Sequence, residues 1–445
     1  MLNDYSAAQD DIFIKYKIKL MAFIRFFIKM LLENLLKIIQ IILFFMRKVA
    51  IIGFGMTPFK ARWPDKTYFE LAYDACNEAL QDAGISIKDV DSAVYGIYND
   101  LFERQFMPDI YVNDYLGNID KPGTRVTTGG ATGGFTVRSA FAEVASGLAD
   151  ICLCLGVEKC NDCYDKQTGT TTPEVLKAIA YSADMTWEYP LGMLAASSYV
   201  VLVNDHFHQY GNPTEEHMAK VSIKNHGNAL NNPKAQAPMK LTIEQVLNSR
   251  IICYPFKMLD CCLYSEASAA LILASEAKVK ELKIENPIWI TGVGAACTDA
   301  FIGNRKSIGA LPSNIAAAKR AYKFAGLEYK NIKKLLDVAE LHDAFSGQEV
   351  ISYEELGFVE YGKGGDWLDD GGPEMNGELP VNPSGGLIGC GHAVGATGIM
   401  STGEAFLQLQ ERAGKRQVPI TKGRAISHSI GGPGAAYSAV IVLER

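Results

Sequence analysis

Val49-Ala50-Ile51-Ile52-Gly53-Phe54-Gly55 is a short apolar run closing on two glycines, and the chain repeats that layout at Ile288-Trp289-Ile290-Thr291-Gly292-Val293-Gly294. Such a run, bounded by glycine, is the pattern of a buried strand. After the first copy, Tyr68 to Ala83 has the apolar spacing of a helix that ends at Gly84. After the second, an alanine-rich stretch around Asn314 to Ala325 leads to a strand ending near Glu340. This is α/β alternation. Its recurrence points to an internal duplication, with halves at 46–285 and 286–445.

Each half also sets a glycine-rich turn before a helix: Gly129-Gly130-Ala131-Thr132-Gly133-Gly134 in the first, Gly385-Gly386 through Gly398 in the second. Glycine lets backbone approach a ligand or a neighbouring element closely, and a helix N-terminus offers N–H donors to negative charge. Paired in a duplicated chain, the turns predict one body packed around its central helices, with residues of both halves meeting at the interface.

The 445 residues are 48 % hydrophobic, enough for one large core or two fused ones. Their 43 basic and 50 acidic side chains leave a net charge of -7, without the footprint of a nucleic-acid binder. An anionic ligand therefore needs a local basic patch. The ten cysteines, several inside apolar runs such as Cys152 and Cys154, read as reduced core residues of a cytoplasmic protein. Cys160 and Cys163 have zinc-ligand spacing, but no second pair completes a site, so no metal is expected. Adjacent Cys261 and Cys262 read as packing residues.

Residues 1–45 differ in kind. Ile12 to Phe45 is strongly apolar yet interrupted by Lys15, Lys17, Lys19, Arg25, Lys29, Glu33 and Lys37, so no membrane span of about 20 apolar residues forms. One reading is a basic amphipathic helix lying on an anionic membrane. The other is a non-native extension, with Met46 as the true start.

Asn382-Pro383-Ser384-Gly385-Gly386-Leu387-Ile388-Gly389-Cys390-Gly391-His392-Ala393-Val394-Gly395-Ala396-Thr397-Gly398 resembles the thiolase signature, in which the histidine belongs to a Gly-His-Pro triplet; Ala393 replaces that proline. Leu341-His342-Asp343-Ala344-Phe345-Ser346 resembles the His-Asp-x-Phe motif of the sterol-carrier-protein-type and archaeal branches. Ser429-Ile430-Gly431-Gly432-Pro433-Gly434 resembles the C-terminal Cys-x-Gly region, with Ser429 at the cysteine position. Gly147 to Lys159 is similar to a strand-and-turn segment of the family, and Asp260 to Ala270 to its Asp-Gly-Ala block, with Glu266 and Ala267 substituted. The motifs keep family order from Met46 to Arg445. The resemblance implies a thiolase fold, a duplicated five-layered αβαβα architecture, and a CoA thioester as substrate with no cofactor.

One departure bears on the chemistry. Where family members carry a Cys-Ala-Ser-Gly run, this chain has Gly130-Ala131-Thr132-Gly133, so the acyl-accepting cysteine falls on Gly130 and the serine on Thr132. Glycine cannot accept an acyl group. Ser429 and Ala344 occupy the two places where thiolase branches keep a second cysteine for proton transfer.

Claisen and aldol steps both put negative charge on a thioester oxygen, which preorganised donors must stabilise. The resemblance implies that His342 and His392 supply that oxyanion hole and that backbone N–H groups at Gly130 and Gly432 supply a second; His428 has no assigned role. The expected function is to make or break a carbon–carbon bond in an acyl-CoA without a Cys acyl-enzyme, as an acyl-CoA C-acyltransferase-like enzyme or a retro-aldolase. Thiolase-like steroid side-chain aldolases, which also lack the cysteine, are a family precedent. Cys390, Tyr264 and Glu266 are the candidates for moving the β-hydroxyl proton; a packing role for Cys390 stays open. The rival reading is a noncatalytic acyl-CoA or lipid-binding subunit of a larger complex. The resemblance further implies a homodimer and a small zinc-containing OB-fold partner of the DUF35 type.

Overall fold

The computed structural model describes residues 20–21, 23–35, 46–163 and 172–445. The chain forms two units, Met1–Arg47 and Lys48–Arg445. In the first, residues 20–21 and 23–35 are helical. Arg25, Lys29 and Glu33 recur every fourth residue, and Lys29 lies 4.0 Å from Glu33. Among the described residues no helix is long and apolar enough to cross a membrane. The basic residues Lys15, Lys17, Lys19 and Lys37 lie outside the described residues.

The second unit is built on a nine-stranded sheet: β1 (Val49–Met56), β2 (Ser92–Gly96), β3 (Gly123–Val126), β4 (Ile151–Lys159), β5 (Glu266–Ser275), β6 (Ile288–Cys297), β7 (Val338–Glu340), β8 (Arg424–Gly431) and β9 (Tyr437–Glu444). Their order across the sheet is β3-β2-β4-β5-β1-β6-β9-β8-β7. Within each half the pattern is the same. β2 runs parallel to β3 and β4, and β5 antiparallel to β4 and β1. In the second half β8 runs parallel to β7 and antiparallel to β9, and β9 antiparallel to β6. A single parallel bridge, Ala339 to Val381, stands where the first half has β3. The halves join where β1 meets β6 antiparallel at Ala50–Trp289 and Ile51–Ile288, inside the two repeated apolar runs.

The glycines of those runs have a packing cause. Helix α1 (Tyr68–Ala83) lies on β1 so closely that a Cβ on Gly53 or Gly55 would stand 2.4 or 2.3 Å from the carbonyl oxygen of Ala79 or Ala75. Across the duplication, helix α5 (Pro312–Phe324) lies on β6 the same way, with Gly292 and Gly294 under the carbonyls of Ala321 and Ala317. Alanine on the helix and glycine on the strand together permit this approach. α1 begins at a capping box, Thr67 with Glu70, and ends where its sequence predicts, at Gly84, which takes the left-handed conformation.

Between the two half-sheets run the central helices, α2 (Thr132–Ser146) and, from the second half, α8 (Val394–Leu409). They cross at glycines: a Cβ on Gly133 would stand 2.5 Å from the backbone nitrogen of Gly398. Both pack on strands of both half-sheets, giving five layers: α1, half-sheet, α2 with α8, half-sheet, α5. Between β4 and β5 the chain adds α3 (Ala195–Tyr210) and α4 (Glu215–Ala229), and after β7 come α6 (Ser346–Glu355) and the single-turn α7 (Gly386–Cys390).

Candidate active site

His342 leaves β7 two residues past its end, between two anchored neighbours. The Leu341 amide donates to Asn382 Oδ1 at 2.7 Å. Asp343 accepts from the first-turn amides of α7, Leu387 at 2.6 Å and Ile388 at 3.2 Å, so its carboxylate sits at a helix N-terminus. Behind it, Asn225 donates to Asp343 at 2.7 Å and to Glu349 at 2.6 Å, and Lys224 pairs with Glu349 at 3.0 Å. This buried network orients the His342 segment without touching the ring.

His392 lies between α7 and α8. Its amide donates to Ser265 Oγ at 2.8 Å and to the Leu263 carbonyl at 3.0 Å, and its carbonyl accepts from the Ser265 amide at 3.2 Å. Its Nδ1 is 2.9 Å from Thr397 Oγ1. The two imidazoles meet edge to face, centroids 5.3 Å apart and planes at 86°. Burial pushes His392 down to about 4. His342 lies well below the usual imidazole range, through burial first and then His392 and His428. Both rings are therefore neutral near pH 7.

Opposite them, the turn before α2 brings up Gly129 and Gly130, and the end of β8 brings up Gly431 and Gly432. Gly129 and Gly432 have φ of 64° and 80°, a region other residues rarely adopt, and they touch: a Cβ on Gly129 would stand 2.4 Å from the Gly432 nitrogen. A Cβ on Gly130 would meet the Ile430 carbonyl oxygen at 2.5 Å and His342 Cε1 and Nε2 at 3.1 and 3.2 Å. The space of a side chain at position 130 is thus already taken by backbone and by His342.

Gly130, Gly432, His342, His392 and Tyr264 all line one cavity of about 810 Å³, its open mouth included. Its walls are mostly apolar, from Ile179, Met193, Leu194, Tyr199, Phe345 and Val394, and among the described residues no charged side chain lines it. Burial pushes the Tyr264 phenol up, so it is a neutral hydroxyl.

Two candidates for proton transfer are corrected. Cys390 is fully buried in the main hydrophobic core and does not line the cavity; Asn232 Nδ2 lies 3.8 Å from its sulfur. Burial pushes that thiol well up, so it has no thiolate to offer. Glu266 is buried outside the cavity, accepting from the Trp63 amide at 2.5 Å with Lys159 Nζ 3.8 Å away. Its carboxylate organises the Trp63 loop.

His428 also stays outside the cavity, its Nε2 3.2 Å from Asn314 Oδ1, and burial pushes it down to about 3. Ser429 is packed at the helix crossing, its Oγ 2.5 Å from where Gly398 would carry a Cβ. Cys160 and Cys163 pack in a cluster with Phe102, Val175 and Val394. Cys262, by contrast, lines the cavity two residues before Tyr264. Alternation along an extended segment puts i and i+2 on one side, the signal that could have found it.

A model of the thiolase N-terminal domain matches residues 49–245, and one described as thiolase C-terminal domain-like matches residues 294–445. The acetyl-CoA acetyltransferase of Methanothermobacter thermautotrophicus is 38 % identical over 401 residues, 90 % of this chain and all of that protein. The chain belongs to the thiolase family. Among other thiolase relatives, human sterol carrier protein 2 is 32 % identical over 88 % of this chain and 71 % of that one. The solved structure of the Ltp2-ChsH2(DUF35) aldolase superposes with a TM-score of 0.74 at 25 % identity, covering 89 % of this chain and 97 % of that chain. Human mitochondrial 3-ketoacyl-CoA thiolase, at 18 % identity and a TM-score of 0.66, shares the fold. The family relatives support an enzyme of the thiolase kind.

Proposed function

We propose that this thiolase-family protein makes or breaks a carbon–carbon bond in an acyl-CoA by enolate stabilisation, with no acyl-enzyme, and that its reaction is aldol cleavage or addition on a β-hydroxyacyl-CoA. The observation that carries the reading is Gly130, which faces His342 and has no room for a side chain. In the cleavage direction the β-hydroxyl O–H bond breaks and its oxygen becomes a carbonyl. The Cα–Cβ electron pair passes into the thioester as an enolate, and a proton then reaches Cα. His342 and His392, both neutral, donate hydrogen bonds to the enolate oxygen. Donors fixed in a buried site are worth far more to such charge than they would be in water.

Tyr264 moves the proton. As a half-buried neutral phenol lining the cavity it acts as a relay, receiving the hydroxyl proton as it passes its own toward Cα. The uncharged, largely apolar wall suits an acyl group without a second carboxylate, because a buried carboxylate with no partner is costly.

The substrate enters as a CoA thioester. The working assembly is a homodimer with a small zinc-containing OB-fold protein of the DUF35 type, a partnership supported by the chain's likeness to the Ltp2-ChsH2(DUF35) aldolase. Replacing His342 and His392 singly by Ala tests the reading. Both variants should keep the fold and acyl-CoA binding but lose turnover; unchanged turnover in both would leave a noncatalytic acyl-CoA-binding subunit.

A further inference from the structure

Thr397 sits one turn into α8 with its hydroxyl oxygen 2.9 Å from two possible acceptors, His392 Nδ1 and the Ala393 carbonyl oxygen. It has one proton to give. If the proton goes to Ala393, Nδ1 must be the protonated ring nitrogen and Nε2 presents a lone pair. If it goes to Nδ1, the ring carries its proton on Nε2 and presents a donor. The choice fixes whether the neutral imidazole is a base or a hydrogen-bond donor.

Counting lone pairs decides it. The Ala393 carbonyl already accepts the amides of Ala396 at 2.8 Å and Thr397 at 2.9 Å, and a carbonyl oxygen has two lone pairs. A third donor there is surplus, whereas Nδ1 has no partner besides Thr397 among the described residues. The ring is held at the other end of the residue too, because Ser265 and Leu263 take the His392 amide.

We infer that Thr397 is a positioning residue: by donating to Nδ1 it holds neutral His392 as the Nε2–H tautomer, a hydrogen-bond donor within the cavity rather than a base. This deepens, and rests on, the role given to His392 in the proposed enolate chemistry. It also accounts for a histidine that works without a cysteine beside it. Where no thiol supplies a proton, the donor state has to be built in.

The test uses the full chain labelled with 15N-histidine, whose seven histidines are few enough to assign with the His392→Gln variant. Long-range 1H–15N correlation at pH 7 should show His392 protonated on Nε2. Thr397→Val should shift it to a mixture or to Nδ1–H and lower kcat with KM little changed, by up to the about 10²–10³-fold that loss of one oxyanion donor costs. Thr397→Ser should restore both. An Nδ1–H signal in the unmodified protein, or Nε2–H retained in Thr397→Val, would overturn the inference. Should the valine variant not fold, the tautomer of the unmodified protein decides alone. The spectrum is read without turnover: Nε2–H in a protein that cleaves no carbon–carbon bond would uphold this inference and overturn only the reaction.

Discussion

Gly130 and Ile430 close on each other at the cavity: a Cβ on Gly130 would stand 2.5 Å from the Ile430 carbonyl oxygen, and backbone cannot swing aside as a side chain tip can. A nucleophile therefore cannot be restored by one substitution. Gly130→Cys is expected to lose about 1–3 kcal/mol of stability through overpacking. After incubation with acetyl-CoA it should carry no acyl adduct at residue 130. Urea unfolding and peptide mass spectrometry check the two halves of this prediction.

The paired glycines under α1 and α5 make a separate prediction about the fold. A methyl group on Gly294 would stand 2.0 Å from the Ala317 carbonyl oxygen, so α5 would have to lift from β6. Gly294→Ala should cost at least about 1–3 kcal/mol. Alanine at Gly326, where a Cβ meets nothing within 4 Å, is strained only by its φ of 70° and should cost less. Paired denaturation curves read the difference.

Cys262 offers a reporter inside the cavity. With a saturating apolar acyl-CoA, its alkylation by a small neutral reagent should slow severalfold. Exposed Cys297 should react at an unchanged rate, and Cys390 should stay unlabelled until the protein unfolds. Equal protection of Cys262 and Cys297, or none, would place the ligand elsewhere. Peptide mass spectrometry gives all three rates.

The buried histidines tie stability to pH. His428 is depressed to about 3 in the fold and titrates near 6.5 when unfolded. Above that value both states are neutral and the group is silent; as pH falls toward 3 the unfolded chain binds the extra proton, so the fold loses stability. Buried carboxyls such as Glu340, pushed up to about 8, run the opposite way, losing stability as pH rises from about 4.5 to 8. The comparison must therefore be between proteins. The stability gap between the natural protein and His428→Gln should shift against the natural protein as pH falls from about 6.5 to 4, in urea midpoints taken at each pH.

Much of this molecule was legible before its structure. The two apolar runs with their glycine pairs revealed the duplication because the same physical demand, a helix resting on a strand with no side chain between, writes the same residues twice. His342, His392, Gly130 and Gly432, which the motifs single out, line one cavity. What failed was direction. Cys390 stands two residues before His392, but successive residues of a turn point to different sides, and its thiol ends in the core. Glu266 follows Tyr264 by two, yet the first residue of β5 turns to the Trp63 loop. The wall formed by Ile179, Met193 and Tyr199 comes from the insertion between β4 and β5, where no periodic or motif signal ties residues to a distant cavity.

Product analysis with intact protein mass in one reaction tests directly whether the enzyme cleaves the carbon–carbon bond without an acyl-enzyme. The purified full chain is given a β-hydroxyacyl-CoA with an apolar β-substituent, and the carbonyl product, the shortened acyl-CoA and free CoA are measured separately. Carbonyl product and shortened acyl-CoA should appear in equal amounts, with no free CoA and no added mass on the protein at any time. A stable acyl adduct on any cysteine, or thiolysis of a β-ketoacyl-CoA through one, would contradict cleavage without an acyl-enzyme.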